Sequence, residues 1–304
     1  MKVLIIGASG FIGYYIRRQL IKIPGFFVTS TYNSKIPDDV DQSWYPLDIT
    51  DYHQVDHIFS ELQPDVVVLL AAVADVTTAE TDQEMATEVN VGGTRHVARL
   101  CAQYATKLVF LSSEYVFGGD RGDYKENDSP DPSTHYGLTK AQAEKAVAEH
   151  SSKWSIVRTS LVYGWPLSGR RNIATIVADL LKNGKTYIGD PGTYRTPIYV
   201  EHLTEGIIKL VANDHIGIFH IAGTDPMNMY EFGCAVAEAF DLDSSLVQAA
   251  QPAELRLLVT TPTDDSGPVL KLDKLGLDCT QTNNLLALRR FDMVTGLQEM
   301  LTQA

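Results

Sequence analysis

Cysteine is scarce in this chain: Cys101, Cys234 and Cys279 are the three present, an odd and scattered set with no C-x-x-C pair. Neither a disulfide framework nor a cysteine zinc site can be built from it. The eight histidines form no H-E-x-x-H arrangement, so no metal is expected, and the G-x-S-x-G elbow of hydrolases is absent as well. Long apolar runs are missing too. None approaches the roughly 20 residues that span a bilayer, and the N-terminal apolar stretch stops at Gly7, too short for a signal-peptide core. The expected location is therefore cytoplasmic. Excess positive charge is lacking: a net charge of −13 argues against nucleic-acid backbones and anionic membranes as partners, while leaving room for an anionic small ligand held by a local patch.

What remains is ordinary globular material. With 44% hydrophobic and 21% charged residues over 304 positions, the chain can bury a large core as one big domain or two unequal lobes. Residues Val3 to Gly13 read V-L-I-I-G-A-S-G-F-I-G, an apolar strand running into Gly7, Gly10 and Gly13 and then into the helix-like stretch Tyr14 to Ile23. Glycines there let the backbone turn sharply and let a diphosphate approach the N–H groups of a helix N-terminus, whose dipole favours negative charge. Gly7, Ser9, Gly10, Phe11, Ile12 and Gly13 are thus candidate dinucleotide contacts.

Short β-rich runs alternate with helical patterns. Strands are expected at Lys2 to Ile6, Phe27 to Thr31, Val66 to Leu70, Leu108 to Leu111, Ser155 to Arg158 and Ile218 to Ile221. Helices are expected near Gly10 to Ile23, Tyr52 to Leu62, Gln83 to Tyr104, His135 to Glu149 and His202 to Ala212. This rhythm predicts an α/β fold, a doubly wound parallel Rossmann sheet with a smaller C-terminal α/β substrate lobe. The cofactor part takes residues 1–165 plus about 196–223, and the substrate lobe about 166–195 and 224–304.

Tyr136 and Lys140 stand four apart in Y-G-L-T-K, so on a helix both side chains leave one face. Ser112 and Ser113 close the apolar strand Leu108 to Leu111, whose end faces the ligand crevice of an open α/β sheet. Three groups can then converge on one carbonyl. Tyr136 gives a proton to an oxygen gaining negative charge, Ser113 donates a hydrogen bond to it, and the ammonium of Lys140 lowers the phenol's pKa.

With these residues in order, the chain resembles the extended short-chain dehydrogenase/reductases. Within them it is most similar to the dTDP-4-dehydrorhamnose reductases and the NAD-dependent epimerase/dehydratase family. The motifs are G-A-S-G-F-I-G at Gly7, L-D-I-T-D at Leu47, A-A-V-A-D at Ala71, E-V-N-V at Glu88, S-S-E-Y-V-F at Ser112, Y-G-L-T-K at Tyr136 and R-T-S-L-V-Y-G at Arg158. The resemblance implies that Asp48 and Ile49 flank an adenine, that Ala71 and Ala72 line the cofactor channel, and that Asn90 supports the active-site helix. It gives Ser113, Tyr136 and Lys140 the catalytic roles, with Tyr136 and Lys140 also touching cofactor and Lys140 reaching the nicotinamide ribose.

The same resemblance separates reaction types. Dehydratases of this kind carry Asp-Glu after the Ser/Thr, whereas here Glu114 is followed by Tyr115, the pattern of a reductase. Glu114, Tyr115, Leu161 and Arg195 are the expected substrate contacts, Leu161 standing where rhamnose-pathway reductases generally have Trp. Arg289 and Arg290 join Arg195 as candidate clamps on a substrate diphosphate. The segment from Pro262, P-T-D-D-S-G-P-V-L-K-L-D-K-L, is similar to the family's substrate-side loop with altered spacing.

No carboxylate stands roughly 20 residues past the glycines, where NAD's ribose would be gripped. Asn33, Ser34 and Lys35 could instead hold a 2′-phosphate, helped by Arg17 or Arg18, which favours NADP without excluding NAD. The leading expectation is an NAD(P)-dependent reductase acting on a keto group of a nucleotide-linked sugar. The alternatives are an NAD-dependent sugar-nucleotide epimerase and a non-catalytic, cofactor-binding regulatory subunit. Relatives of this kind often dimerise, so a homodimer is among the options.

Overall fold

Seven parallel strands form the centre of the fold, in the order β11-β6-β5-β4-β1-β2-β3. These are β1 (Lys2–Ile6), β2 (Phe27–Tyr32), β3 (Trp44–Pro46), β4 (Val66–Leu69), β5 (Lys107–Leu111), β6 (Trp154–Arg158) and β11 (Gly217–His220). The computed structural model describes residues 1–167, 169, 171–251 and 274–303.

The central strands are apolar on both faces because both are covered. Along β1 and β4, Val3, Ile5, Val66 and Val68 enter one core with Ile16 and Leu20 of α1 (Phe11–Leu20) and Leu203 and Ile207 of α8 (Val200–Val211). Leu4, Ile6, Val67 and Leu69 alternate into a second core. There they meet Val55 and Phe59 of α2 (Tyr52–Leu62), Val97 and Cys101 of α5 (Thr94–Gln103), and Ala143 and Val147 of α6 (His135–His150). The side-chain period of two thus sorts one strand into two layers. The expected doubly wound Rossmann sheet is what forms.

The register sets the site. Ile6 pairs with Leu69 and Leu69 with Phe110, so Gly7 and Leu70 leave the sheet level with Leu111, and Ser112 follows one residue beyond. The strand order reverses between β1 and β4, and ligands of such sheets bind outside the carboxyl ends at that switch point.

Three departures from the sequence reading have physical causes. Strand β3, which pairs with β2, is three residues long and carries no period to read. The expected single helix Gln83 to Tyr104 is divided into α4 (Gln83–Thr87), a π-helical turn Glu88–Gly93 and α5, preceded by α3 (Val76–Thr81). Apolar periodicity does not register a slip of the hydrogen-bond ladder by one residue. Outside the main sheet, β7 (Val162–Tyr163) pairs β10 (Ile198–Tyr199), β8 (Tyr187–Gly189) pairs β13 (Val247–Ala249), and β9 (Tyr194–Arg195) pairs β12 (Met227–Asn228). A third core packs α7 (Ile173–Lys182) and α9 (Met229–Ala239) against the helix Met293–Leu301 through Val177, Phe232, Val236 and Leu297. Among the described residues no helix is long and apolar enough to cross a membrane.

Candidate active site

A crevice of about 830 Å³ opens over the carboxyl ends of the central strands. Its walls bring together Gly7, Ser9, Gly10, Phe11, Ile12, Gly13, Asn33, Ser34, Asp48, Ile49, Ala71, Ala72, Ser113, Glu114, Tyr115, Tyr136, Leu161 and Arg195. Lys35 and Lys140 are not among the lining residues. Thr31, Ser160 and Arg171 line it as well, and sequence reasoning did not single them out. Thr31 had a signal, its place at the end of the second strand; its hydroxyl takes the Gly7 N–H at 3.0 Å.

The glycine loop is shaped by close approach. Gly7 has a φ of +90°, and a β-carbon there would lie 2.7 Å from the Ala71 nitrogen. A β-carbon at Gly13 would lie 2.5 Å from the Gly7 carbonyl oxygen. Helix α1 therefore starts against the loop, at Gly10, with no side-chain cap over its first turn. That leaves the backbone donors of a helix N-terminus facing a cleft, an arrangement suited to a diphosphate.

Ser113 caps the short turn Glu114–Val116, its hydroxyl oxygen accepting the Tyr115 N–H at 3.3 Å. Tyr136 stands in the first turn of α6, which Thr134 starts by accepting the Gly137 N–H at 3.0 Å. Its ring meets that of Tyr115 edge-to-face at 5.5 Å. Burial pushes the phenol up to about 12; a hydrogen bond from Ser113 and the Arg195 charge pull the other way, and Glu114 adds to the rise. Lys140 is 3% exposed, donates to the Leu111 carbonyl at 2.7 Å and lies 4.2 Å from the Phe110 ring centre. Burial pushes its amine down to about 7, with the charge of Glu144 opposing.

Glu114, 1% exposed, accepts from Arg195 at 2.7 Å. Arg195 also donates to the Tyr115 hydroxyl and stacks 4.7 Å from that ring centre. Burial raises the Glu114 carboxyl to about 7 against the pull of Arg195 and Ser160. Ser160 lies near, yet the carboxylate's buried second oxygen has no partner of hydrogen-bond geometry among the described residues.

Asn90, inside the π-helical turn, accepts the Val73 N–H at 2.8 Å and donates to the Val73 carbonyl and to Thr139 of α6 at 3.2 and 2.9 Å. It thereby ties the loop after β4 to the helix that carries Tyr136. Other expected cations lie elsewhere. Arg17 turns away from the crevice to Asp39, Asp41 and Ser43, with its guanidinium carbon 4.8 Å from the Trp44 ring centre. Arg289 pairs with Glu299, and Arg290 with Asp225. The segment from Pro262 lies outside the described residues as far as residue 273. His53 and His57, one turn apart on α2, are both exposed, and no group of three or more metal-ligating side chains occurs among the described residues.

A family model described as the RmlD substrate binding domain matches residues 1–284. The chain belongs to that family. Across 99% of this chain and 87% of the relative, it is 28% identical to methionine adenosyltransferase 2 subunit beta of Mus musculus. It is 30% identical, over 84% of this chain and 85% of the relative, to the Haloferax volcanii protein named "Probable low-salt glycan biosynthesis reductase Agl14". The solved dTDP-4-dehydrorhamnose reductase of Bacillus anthracis, in complex with NADP, has the same fold: its TM-score is 0.84 at 24% identity, covering 100% of this chain and 99% of that one.

Proposed function

We propose that this protein is an NADP-preferring reductase of a keto group on a nucleotide-linked sugar. The observation that carries the reading is the meeting of Ser113 and Tyr136 with the glycine loop in one crevice. Gly7 and Gly13 let the loop, the segment after β4 and the start of α1 pack closer than a β-carbon would permit, which sets the uncapped helix N-terminus at the crevice. Gly7 to Gly13 would hold that diphosphate, Asp48 and Ile49 the adenine, Ala71 and Ala72 the channel, and Asn33 and Ser34, with Lys35 beside them, the 2′-phosphate. When bound, the dinucleotide supplies a hydride.

The chain's own residues do the rest. Tyr136 holds its proton at neutral pH and gives it to the carbonyl oxygen, while the Ser113 hydroxyl stabilises the same oxygen. Lys140, buried beneath the crevice on the Leu111 carbonyl, would support the ribose side of the site. Glu114, Tyr115, Leu161 and Arg195 form the substrate wall. The B. anthracis reductase was solved with NADP, which supports the cofactor choice, and the archaeal relative's name supports a glycan precursor as substrate. On this reading residues 1–165 with about 196–223 form the cofactor part and the remainder the substrate lobe.

The test is Tyr136→Phe in an NADPH-oxidation screen of nucleotide-linked keto-sugars. Turnover should fall by about 10²-fold or more while NADPH affinity is retained. Unchanged turnover refutes the proton donor. A sugar transformed with no net NADPH consumption points to an epimerase instead.

The likeness to methionine adenosyltransferase 2 subunit beta favours a second reading, a cofactor-binding subunit of a partner enzyme. Tight NADPH binding with no oxidation by any keto-sugar, in the native chain, would favour it.

A further inference from the structure

Behind the crevice wall lies a buried ionic cluster that the proposed chemistry does not use. Glu144 of α6 accepts the Ser112 hydroxyl at 2.6 Å and the Arg158 Nε at 2.9 Å on one oxygen, and the Arg158 Nη2 at 2.7 Å on the other. Exposure is 5% for Glu144, 3% for Ser112 and 1% for Arg158. Arg158 is further confined by the Phe117 ring at 4.9 Å and donates to the Glu126 carbonyl. One carboxylate thus ties the ends of β5 and β6 to α6. Ser112 immediately precedes Ser113, and Lys140 stands one helical turn before Glu144.

Resting on the reductase reading above, we propose that Glu144 is a positioning residue for the active site: its carboxylate fixes the Ser112–Ser113 strand end against α6 and sets a negative charge one helical turn from the buried Lys140. The charge argument comes from neighbours. Burial disfavours the ammonium, and an opposite charge within a few ångströms is what restores it. On α6 itself the titratable groups near Lys140 are Tyr136 and Glu144; β6 contributes Arg158 and the turn after β5 contributes Glu114. On the other elements packed against α6, Glu80 is bonded to the His135 N–H, while Glu84, Glu88, Arg95 and Arg99 are exposed. Glu144 is the charge that acts on the Lys140 amine, which otherwise has the Leu111 carbonyl and the Phe110 face.

The experiment follows Lys140 directly in the full chain, by NMR titration of ¹³Cε-labelled lysines, with the Lys140 signal assigned by its loss in Lys140→Arg. In Glu144→Gln the Lys140 midpoint should drop by about one unit or more. Around the native midpoint, close to pH 7, that drop leaves about a tenth of the amine charged instead of half. NADPH affinity at that pH, measured by calorimetry, should then weaken roughly fivefold, with a smaller loss near pH 5. Because Glu144→Gln strands the Arg158 guanidinium, Glu144→Gln/Arg158→Met is the second variant, with both charges removed. A purely structural role predicts that this pair restores the native Lys140 midpoint; the proposal predicts that the midpoint stays low. An unmoved midpoint in either variant overturns the proposal. A native chain that binds no NADPH would instead sink the reductase reading, and the Lys140 titration would still decide the role of Glu144.

Discussion

Gly137→Ala tests whether a single main-chain approach holds the site together. A β-carbon at Gly137 would lie 2.0 Å from the Tyr115 carbonyl oxygen, 2.9 Å from its carbonyl carbon and 3.1 Å from the Pro132 β-carbon. Ordinary carbon contacts begin near 3.5 Å, so helix and turn must separate by more than ~1 Å. The obstacle is backbone, and the turn that carries it is fixed by Val116 and Phe117, both 0% exposed. No side chain can swing aside. Two effects oppose each other: alanine in a helix is worth about 1 kcal/mol over glycine, and overpacking costs about 1–3 kcal/mol or more. With main chain on both sides the second should win, by about 1–2 kcal/mol net. That corresponds to a melting temperature lower by about 2–6 °C in circular dichroism. Activity should suffer more, because the shift moves Glu114 and Tyr115 relative to Tyr136, and a misplacement of about 1 Å can cost 10²-fold. A variant that melts no lower than the native chain and reduces the same substrate equally fast would refute the reasoning.

The pH dependence of stability should carry the mark of Glu114. Its folded pKa, about 7, lies above the ordinary value of 4.5, so the protonated form is favoured in the fold. The native chain therefore binds more protons than the unfolded one between those values, and stability falls as pH rises through that window, by on the order of 3 kcal/mol. Glu114→Gln lacks this slope; urea unfolding should show it gaining on the native chain from pH 4.5 to 7, and parallel curves would exclude a raised carboxyl. Gly13→Ala drives a β-carbon to 2.5 Å from the Gly7 oxygen and 2.7 Å from the Ala8 α-carbon, and fluorescence titration should show NADPH affinity reduced by about tenfold or more. Equal affinity would mean that the loop and α1 need no such contact. Asn90→Ala removes two part-buried hydrogen bonds to Val73 after β4 and one buried bond to Thr139 of α6, and should cost about 1–3 kcal/mol in urea unfolding; a change below about 0.5 kcal/mol would show that the tie is dispensable.

How far the sequence could be read depended on the range of the interaction. The strands were legible because they are buried on both faces: V-V-V-L at Val66–Leu69 admits no amphipathic reading. Helix α2 was legible to the residue, since Asp51 caps it by accepting the Gln54 N–H at 3.1 Å. Ser113 and Tyr136 followed from a rule about strand ends and a helical spacing, both local. What stayed hidden was long-range. Glu114 and Arg195 are 81 residues apart, and nothing in either segment announces that the crevice wall contains its own ion pair. Arg17 read as a candidate phosphate ligand because a basic residue in a first helix is nearby in sequence, but its partners Asp39 and Asp41 come from the approach to a strand too short to foresee.

Burial also decides the chemistry of the Tyr136 phenol and the Lys140 amine. A phenol pushed up to about 12 is fully protonated at neutral pH, which is the form required to hand a proton to a reduced carbonyl and the wrong form for abstracting one. An amine pushed down to about 7 has its charge set by small changes in its surroundings. Desolvation acts on both in the direction of neutrality, so the site's default state is the proton-loaded acid beside a half-charged lysine. Oxidation of an alcohol would need the opposite state, a phenolate, and the cations able to favour it are Arg195, already committed to Glu114, and Lys140, held beneath the wall by the Leu111 carbonyl. On the proposed reductase reading, these electrostatics would favour carbonyl reduction over alcohol oxidation near neutral pH, and the preference should weaken as pH climbs toward the phenol's pKa.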